Sequence, residues 1–392
     1  MSELQIEKWV YGGDGLGRAD GRVVLAPYVL PGERVRVSPV RAKPDLIHAR
    51  LEEVLDPAPE RVTPECPYFT RCGGCQYQHA PYEFQLAQKE AILREVLRRV
   101  GKIDAPPEIE VIAGPPWGYR NRVQLHIDRG AVGFLEHGSH RLCPVDHCPV
   151  SSPAIQRAIG IVVDFARQRW FPRFVRSLEI FTNETEFQVN VRESDGPRAA
   201  RRFFEQCAER LPGADRPALD YTAAGATYRV SAHAFFQVNR FLIDALVDCA
   251  LADGAGETAV DLYAGAGLFS VPMARRFAEA AFVETNPIAC RDLAHNTGAG
   301  AVRAGAGQYL ASLDRAPDFV LADPPRSGLG RGVAGELIRL RAPRVNIVSC
   351  DPATLARDLG PLLAAGYRIG KVTLIDLFPQ TAHIECIAKL VL

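Results

Sequence analysis

The sequence predicts an α/β protein whose C-terminal part is a doubly wound sheet, preceded by a small β-barrel of the OB type and an α+β segment. Three observations predict it. From about residue 226 onward, apolar runs alternate with Gly turns and amphipathic stretches, the pattern of strand–helix repeats. Three of these runs end in polar residues. Ala259-Val260 leads into Asp261-Leu262-Tyr263-Ala264-Gly265-Ala266-Gly267, Phe319-Val320-Leu321-Ala322 ends in Asp323-Pro324-Pro325-Arg326, and Val345-Asn346-Ile347-Val348 ends in Ser349-Cys350-Asp351-Pro352. Open α/β sheets bind ligands outside the carboxyl ends of their strands. At the other end, residues 1–56 show short alternating stretches and Gly turns with no helical period.

A length of 392 residues suggests two or three domains. The 47% hydrophobic and 23% charged residues are those of a soluble globular chain. Lys+Arg and Asp+Glu number 46 each, which argues against a protein that coats nucleic acid non-specifically. The first residues lack an apolar signal core, and no apolar run is long enough to span a bilayer. Ten cysteines without a secretory signal read as thiols or metal ligands, and the expected compartment is the cytoplasm.

In the barrel segment, Gly12-Gly13-Asp14-Gly15-Leu16-Gly17 lacks the Lys-Ser/Thr ending and the following helix of a phosphate loop, so it reads as turn. Arg34, Arg36, Arg41, Lys43 and Arg50 form a modest basic patch against Glu33 and Asp45, a solvated face or an RNA contact. A Pro-rich linker, Pro57 to Pro67, follows. The helix expected from about Tyr82 to Val100 carries Leu86, Ile92, Leu93, Val96, Leu97 and Val100 on one stripe and Lys89, Arg94, Arg98 and Arg99 on the other face. Residues 109–220 predict strands near 120–128, 178–182 and 186–192 and helices near 153–170 and 197–211.

Two sets of residues carry chemistry. Cys66-Pro67-Tyr68-Phe69-Thr70-Arg71-Cys72-Gly73-Gly74-Cys75 is C-x5-C-x2-C, with tandem glycines that let the thiolates converge. Cys143 and Cys148 are candidates for a fourth ligand. Zinc would accept this set, or one with His79 or His147. An iron–sulfur cluster needs thiolates almost throughout and is preferred slightly. The second set is the Asp261–Gly267 turn with Glu284, the acid ending the next strand. Small residues let a ligand approach the backbone, and the carboxylate suits a ribose diol. Without a third glycine or a phosphate lysine, this points to S-adenosylmethionine rather than a dinucleotide. Cys350 at a strand end is the candidate nucleophile, while Cys207, Cys249, Cys290 and Cys386 read as core.

Together with Phe235-Phe236-Gln237-Val238-Asn239 and the run Ser349-Cys350-Asp351-Pro352-Ala353-Thr354-Leu355-Ala356-Arg357-Asp358, these motifs resemble the S-adenosylmethionine-dependent RNA uracil-5 methyltransferases, in particular the branch acting on large-subunit ribosomal RNA. The resemblance spans nearly the whole chain. It implies a TRAM barrel over 1–57, a central domain with a [4Fe-4S] cluster over 58–225, and a Rossmann-like methyltransferase domain over 226–392, with helix 82–101 packing on the last. It implies Cys350 as nucleophile and Glu385 as general base. Gln237, Tyr263, Glu284 and Asp323 are implied for the cofactor, and Cys66, Cys72, Cys75 and Cys148 for the cluster, with Cys143 as alternate to the last. RNA is the implied partner of a monomer without membrane attachment. A transfer-RNA enzyme, or a non-catalytic RNA-binding or redox protein on the same scaffold, is the other reading. The chain departs from the family at Ala304-Gly305-Ala306-Gly307-Gln308, which offers the adenine no Asp or Asn, and at Leu268, where some members carry Asn.

Overall fold

Residues 2–103, 108–196 and 201–392 are described by a computed structural model. At the N-terminus, β1 (Ser2–Trp9), β2 (Asp14–Ala19), β3 (Arg22–Pro27), β4 (Arg34–Ala42) and β5 (Leu46–Asp56) close into a barrel in the order β1-β2-β3-β5-β4. Alternation puts Leu4, Ile6, Val24, Val35, Val37 and Ala49 inside. The glycines here serve packing as well as turning. A Cβ on Gly15 would lie 2.4 Å from the Val29 side chain, and one on Gly17 2.4 Å from the Gln5 carbonyl. The basic patch is largely neutralised: Arg34 pairs with Glu3 and Asp56, Arg36 with Glu53, and Arg50 with Glu52. The barrel is fastened to the next segment by Trp9, stacked on Tyr77 at 3.9 Å, and by the buried Glu33, which pairs with Arg61.

Helix α1 (Tyr82–Gly101) lies against the C-terminal part of the chain. Its buried face is Gln85, Lys89, Ile92, Leu93 and Leu97. Leu86 is half-buried and Val100 exposed, so the face is rotated from the expected stripe. Lys89 is a correction: expected on the polar face, it is fully buried. It stands one turn from both Gln85 and Leu93, and a carboxylate from a distant strand end meets it there.

The middle of the chain forms a five-stranded sheet from β7 (Arg122–Asp128), β8 (Ala131–Leu135), β9 (Leu142–Pro144), β10 (Val175–Thr182) and β11 (Phe187–Ser194), in the order β11-β10-β7-β8-β9. Helices α2 (Pro153–Ala166) and α3 (Arg201–Arg210) supply its apolar cover. Ser152 caps α2 by accepting from the Ile155 amide, with Pro153 at the first turn. This helix stops four residues short of the expected end. The expected start of α3 at 197 lies outside the described residues. Strands β12 (Ala218–Ala223) and β13 (Ala226–Ser231) form a hairpin of their own. Ala224 and Gly225 both have positive φ, 48° and 69°, the two-residue turn that matches strand twist. The doubly wound sheet therefore starts after 226, because that segment pairs back on its predecessor.

The sheet itself has eight strands, ordered β16-β15-β14-β17-β18-β20-β19-β6. Strands β14 (Thr258–Leu262), β15 (Glu279–Glu284), β16 (Val302–Arg303), β17 (Phe319–Ala322), β18 (Arg344–Ser349) and β19 (Arg368–Ile375) alternate with helices. Strand β6 (Ile109–Ile112), from the segment before the five-stranded sheet, pairs in parallel with β19. Strand β20 (Glu385–Val391) runs antiparallel to both its neighbours, β18 and β19. Helices α4 (Ile243–Leu251), α5 (Ser270–Arg276) and α6 (Pro287–Thr297) share one core. Helices α7 (Ala306–Ala311), α8 (Gly330–Leu340) and α9 (Pro352–Ala364) share another with α1. All four residues of β17 are buried, as expected for a strand covered on both faces. Truncating Leu321 there to Ala would cost about 2–5 kcal/mol. Chain order reverses between β14 and β17, so the crevice for a ligand opens at their carboxyl ends.

Candidate active site and cysteine lobe

The C-terminal rim of the sheet gathers the strand-end residues. Asp323 follows β17, and its amide donates to the Leu262 carbonyl of β14 at 3.3 Å. Cys350 follows β18. The turn around it is fixed by Ser349, whose hydroxyl donates to the Asp351 carbonyl at 3.0 Å, and by Asp351, which caps α9 by accepting from the Ala353 and Thr354 amides at 2.9 Å. Because β20 is antiparallel, its first residue rather than its last reaches this rim. Ser349 pairs with Cys386, so Glu385 stands level with Cys350. Glu385 is 5% exposed, in a strand flanked on both sides rather than on an edge.

These groups act on one another electrically. Burial pushes the Cys350 thiol up to about 11; Glu385 and Asp323 push the same way, and the Arg326 guanidinium opposes them. Burial also holds Glu385 well above the usual carboxylate range, with Asp323 adding to it and Arg326 opposing. The Asp323 carboxyl is raised to about 7 by removal from water. Burial thus opposes ionisation of the thiol and of both carboxyl groups, and Arg326 is the charge that favours it at Cys350 and Glu385. Arg326 in turn donates towards His383 Nδ1 at 3.3 Å. Cys386, by contrast, is buried and donates to the Ser349 carbonyl, as an inert core thiol does.

Next to this cluster, the turn after β14 has the shape of a cradle. Tyr263 adopts φ 63°, and Gly265 has φ 56° with no atom within 4 Å of a Cβ built on it. Glu284 is held by the Gly265 amide at 2.9 Å and by the Thr285 and Asn286 amides at 2.7 Å. Asp261 is buried and raised to about 7, chiefly by burial, and its Oδ1 has no hydrogen-bond partner among the described residues. An open glycine turn, a fixed carboxylate and an orphaned carboxyl oxygen fit a cationic adenosyl ligand. Leu268 is in the core. Gln237 is buried, and the Asn121 side chain donates to its backbone carbonyl at 3.3 Å. Phe236 is core, whereas Phe235 is 65% exposed.

The cysteine lobe is a separate place. Cys66, Cys72, Cys75 and Cys148 line one cavity of about 400 Å³. The Gly73 amide donates to the Leu135 carbonyl at 2.9 Å, which brings the cysteine loop onto β8. Cys143 is fully buried in β9, paired with Phe134, and is not part of the cavity wall. His79 also stays away from it: its Nε2 lies 3.3 Å from the Val29 carbonyl. Burial pushes the Cys72 and Cys75 thiols up to about 12. Among the described residues no three His, Cys, Asp or Glu side chains converge on a single ion. The four thiols share the cavity wall with His147, the other candidate ligand, and with Arg120 and Glu136. Cys249 and Cys290, expected in the core, are half-buried, and the Cys290 thiol donates to the Glu284 carbonyl.

Known proteins resemble this chain over nearly its whole length. Residues 310–391 match the family model for tRNA (uracil-5-)-methyltransferase. The 23S rRNA (uracil(1939)-C(5))-methyltransferase RlmD of Pseudomonas putida is 33% identical over 419 residues, covering 98% of this chain and 92% of that protein. The chain belongs to the RNA uracil-5 methyltransferase family. An uncharacterized RNA methyltransferase of Thermosynechococcus vestitus is 34% identical over 436 residues, covering 99% of this chain and 97% of the relative. Among solved structures, a tRNA (uracil-54, C5)-methyltransferase of Pyrococcus abyssi in complex with S-adenosyl-L-homocysteine superposes with a TM-score of 0.78. It covers 99% of this chain and 100% of its own at 24% identity, so it shares the fold of this RNA uracil-5 methyltransferase. The sequence motifs contain Asp261 and Arg326, but nothing in their spacing gave either a role. Lys89 was misplaced by the same reading, since burial on a helix depends on which distant segment arrives.

Proposed function

We propose that this chain methylates C5 of a uridine in RNA, with ribosomal RNA as substrate and S-adenosylmethionine as methyl donor. The observation that carries the reading is the meeting of Cys350, Glu385, Asp323 and Arg326 at one rim of the sheet. Uracil C5 is a poor carbon nucleophile. Attack of the Cys350 thiolate at C6 makes the ring an enolate, which can accept a methyl at C5. S-adenosylmethionine supplies that methyl as an electrophile, held at the cradle by Gln237, Tyr263, Glu284 and Asp323. Glu385, as carboxylate, then takes the C5 proton, the C–H electron pair re-forms the C5–C6 double bond, and Cys350 leaves C6 as thiolate. Arg326 eases formation of the thiolate.

Cys66, Cys72, Cys75 and Cys148 would hold a [4Fe-4S] cluster. Four thiols on the wall of one cavity supply the thiolate set that a cluster requires, while His147 on the same wall is the donor that a single zinc ion would add. The cluster would compensate buried thiolates and fasten the lobe. Residues 1–57, 58–225 and 226–392 act as barrel, cysteine lobe and methyltransferase unit, with β6 contributed across the second boundary. Such an enzyme would work as a monomer in the cytoplasm. No helix among the described residues is long and apolar enough to cross a membrane.

Names of relatives support ribosomal RNA, while the family model and the superposed structure are named for transfer RNA, which makes transfer RNA the second reading. Methyl transfer from labelled S-adenosylmethionine to ribosomal and transfer RNA, followed by mapping of the modified base, tests both. Label in ribosomal RNA at uridine C5 is expected. Label confined to transfer RNA gives the second reading, and none in either leaves a non-catalytic scaffold.

A further inference from the structure

The segment that delivers Glu385 to the rim is the loop between β19 and β20, residues 376–384. A hairpin connection of this length is far beyond the two to five residues that fix a register by themselves. Something else must hold it. Four successive carbonyls of the loop are each taken by a donor from outside the strand pair. Asn239 donates to Leu377 at 3.0 Å, Lys89 to Phe378 at 3.0 Å, and the Tyr119 hydroxyl to Pro379 at 3.0 Å. The Gln76 and Tyr77 amides both donate to Gln380 at 3.0 Å.

Gln380 is the most tightly specified position in that loop. It is 3% exposed and has φ 68°, a left-handed conformation costly for a residue with a side chain. Its side-chain oxygen accepts from Gln85 at 2.9 Å, and its own amide donates to Gln85 at 3.0 Å. Two residues on, the Ala382 amide donates to Gln76 Oε1 at 3.1 Å, while Gln76 Nε2 donates to the Gly73 carbonyl at 2.9 Å. Gln76 directly follows Cys75. The peptide leaving the cysteine loop is therefore bonded to the peptide that enters β20.

We propose that Gln380 is a positioning residue for Glu385, and that Gln76 wires the cysteine lobe to the proton-abstraction half of the active site. The inference rests on the reading of Glu385 as general base. Cys350 hangs from β18 and the cap of α9, and the loop reaches its surroundings through His383, which takes Arg326 at 3.3 Å, so loosening the loop displaces the base more than the nucleophile. Attack and methyl transfer then proceed, and release of the adduct slows.

The test compares Gln380→Gly, which relieves the left-handed strain while removing the amide pair, with Gln76→Leu, which leaves Gln380 itself intact. Single-turnover methyl transfer is measured beside adduct decay on denaturing gels, and amide exchange is followed across 376–384. Both variants are expected to transfer methyl within a factor of about three of the parent. Adduct decay should slow on the order of tenfold or more, the scale of a misplaced catalytic group. Exchange across the loop should rise. If transfer and decay fall by one common factor, or decay is unchanged, Gln380 has no positioning role. Glu385→Gln is run alongside. If it turns over normally, the base assignment falls and the proposal with it; if it traps adduct while neither loop variant does, the base assignment stands and only the proposal falls.

Discussion

The catalytic rim and the cysteine lobe both bury thiols, and in both burial moves the thiol in the same direction, to about 11 at Cys350 and about 12 at Cys72 and Cys75. What separates them is the company. Cys350 stands alone among carboxyl groups with Arg326 opposing them, so its charge can form and vanish within a reaction. The lobe thiols face one another, and each pushes its neighbours' ionisation further out of reach. Only a bound cationic centre can make such a set of thiolates stable. One sulfur is opposed by a guanidinium; the four raise one another.

The largest test of that contrast is Cys350→Ala. Methyl transfer should fall by several orders of magnitude, since each ~1.4 kcal/mol of barrier is about tenfold. RNA carrying 5-fluorouridine at the target cannot lose fluorine as a cation, so it should trap the parent enzyme as a complex stable to denaturation. The trap should vanish in Cys350→Ala and persist in Cys386→Ala. Methylation by Cys350→Ala at a comparable rate would end the covalent reading.

The lobe is tested by metal content. Protein purified without oxygen should hold about four irons per chain, and Cys75→Ser should lose them and melt at lower temperature. At low temperature its fluorouridine trap should still form, because the nucleophile does not depend on the lobe. Stoichiometric zinc without iron would collapse the distinction drawn between the two sites.

A smaller effect is expected at Arg326. The guanidinium lowers the Cys350 thiol, so Arg326→Gln should raise it. The rising limb of kcat/KM against pH then moves upward. A displacement of about one pH unit means about tenfold less activity at pH 7, with the deficit closing as pH approaches the thiol's own range. An unshifted limb would mean that Arg326 does not act on the thiol.

The smallest concerns Cys143. Cys143→Ala should keep the iron and cost about 1 kcal/mol of stability, as for a modest core truncation. Loss of iron instead would make Cys143 the fourth ligand.

Much of the site was legible because strand ends are local events. Asp323, Cys350 and the Asp261–Gly267 turn each follow an apolar run that is itself a buried strand, and a β-strand cannot place its last residue anywhere but the rim. Glu385 was harder. By spacing alone it reads as an edge charge, and only the antiparallel insertion of β20 between β18 and β19 buries it. The Lys89–Asp376 pair spans 287 residues and the Gln85–Gln380 pair 295, distances over which no periodicity carries information. The hairpin turn at Ala224-Gly225 was missed for a different reason: Ala in a left-handed position gives no turn signal.

The cap of α9 has a further partner, and it sets an order of events. Tyr11, in the turn between β1 and β2, donates to Asp351 Oδ2 at 3.1 Å across 340 residues of chain. Asp351 is the neighbour of Cys350 and the cap of its helix. Contacts of such separation come late in folding, because the intervening chain must be closed before they form. The turn that carries Cys350 therefore receives this support only once two segments 340 residues apart have met. Partly assembled molecules would carry an intact barrel beside an unfinished crevice.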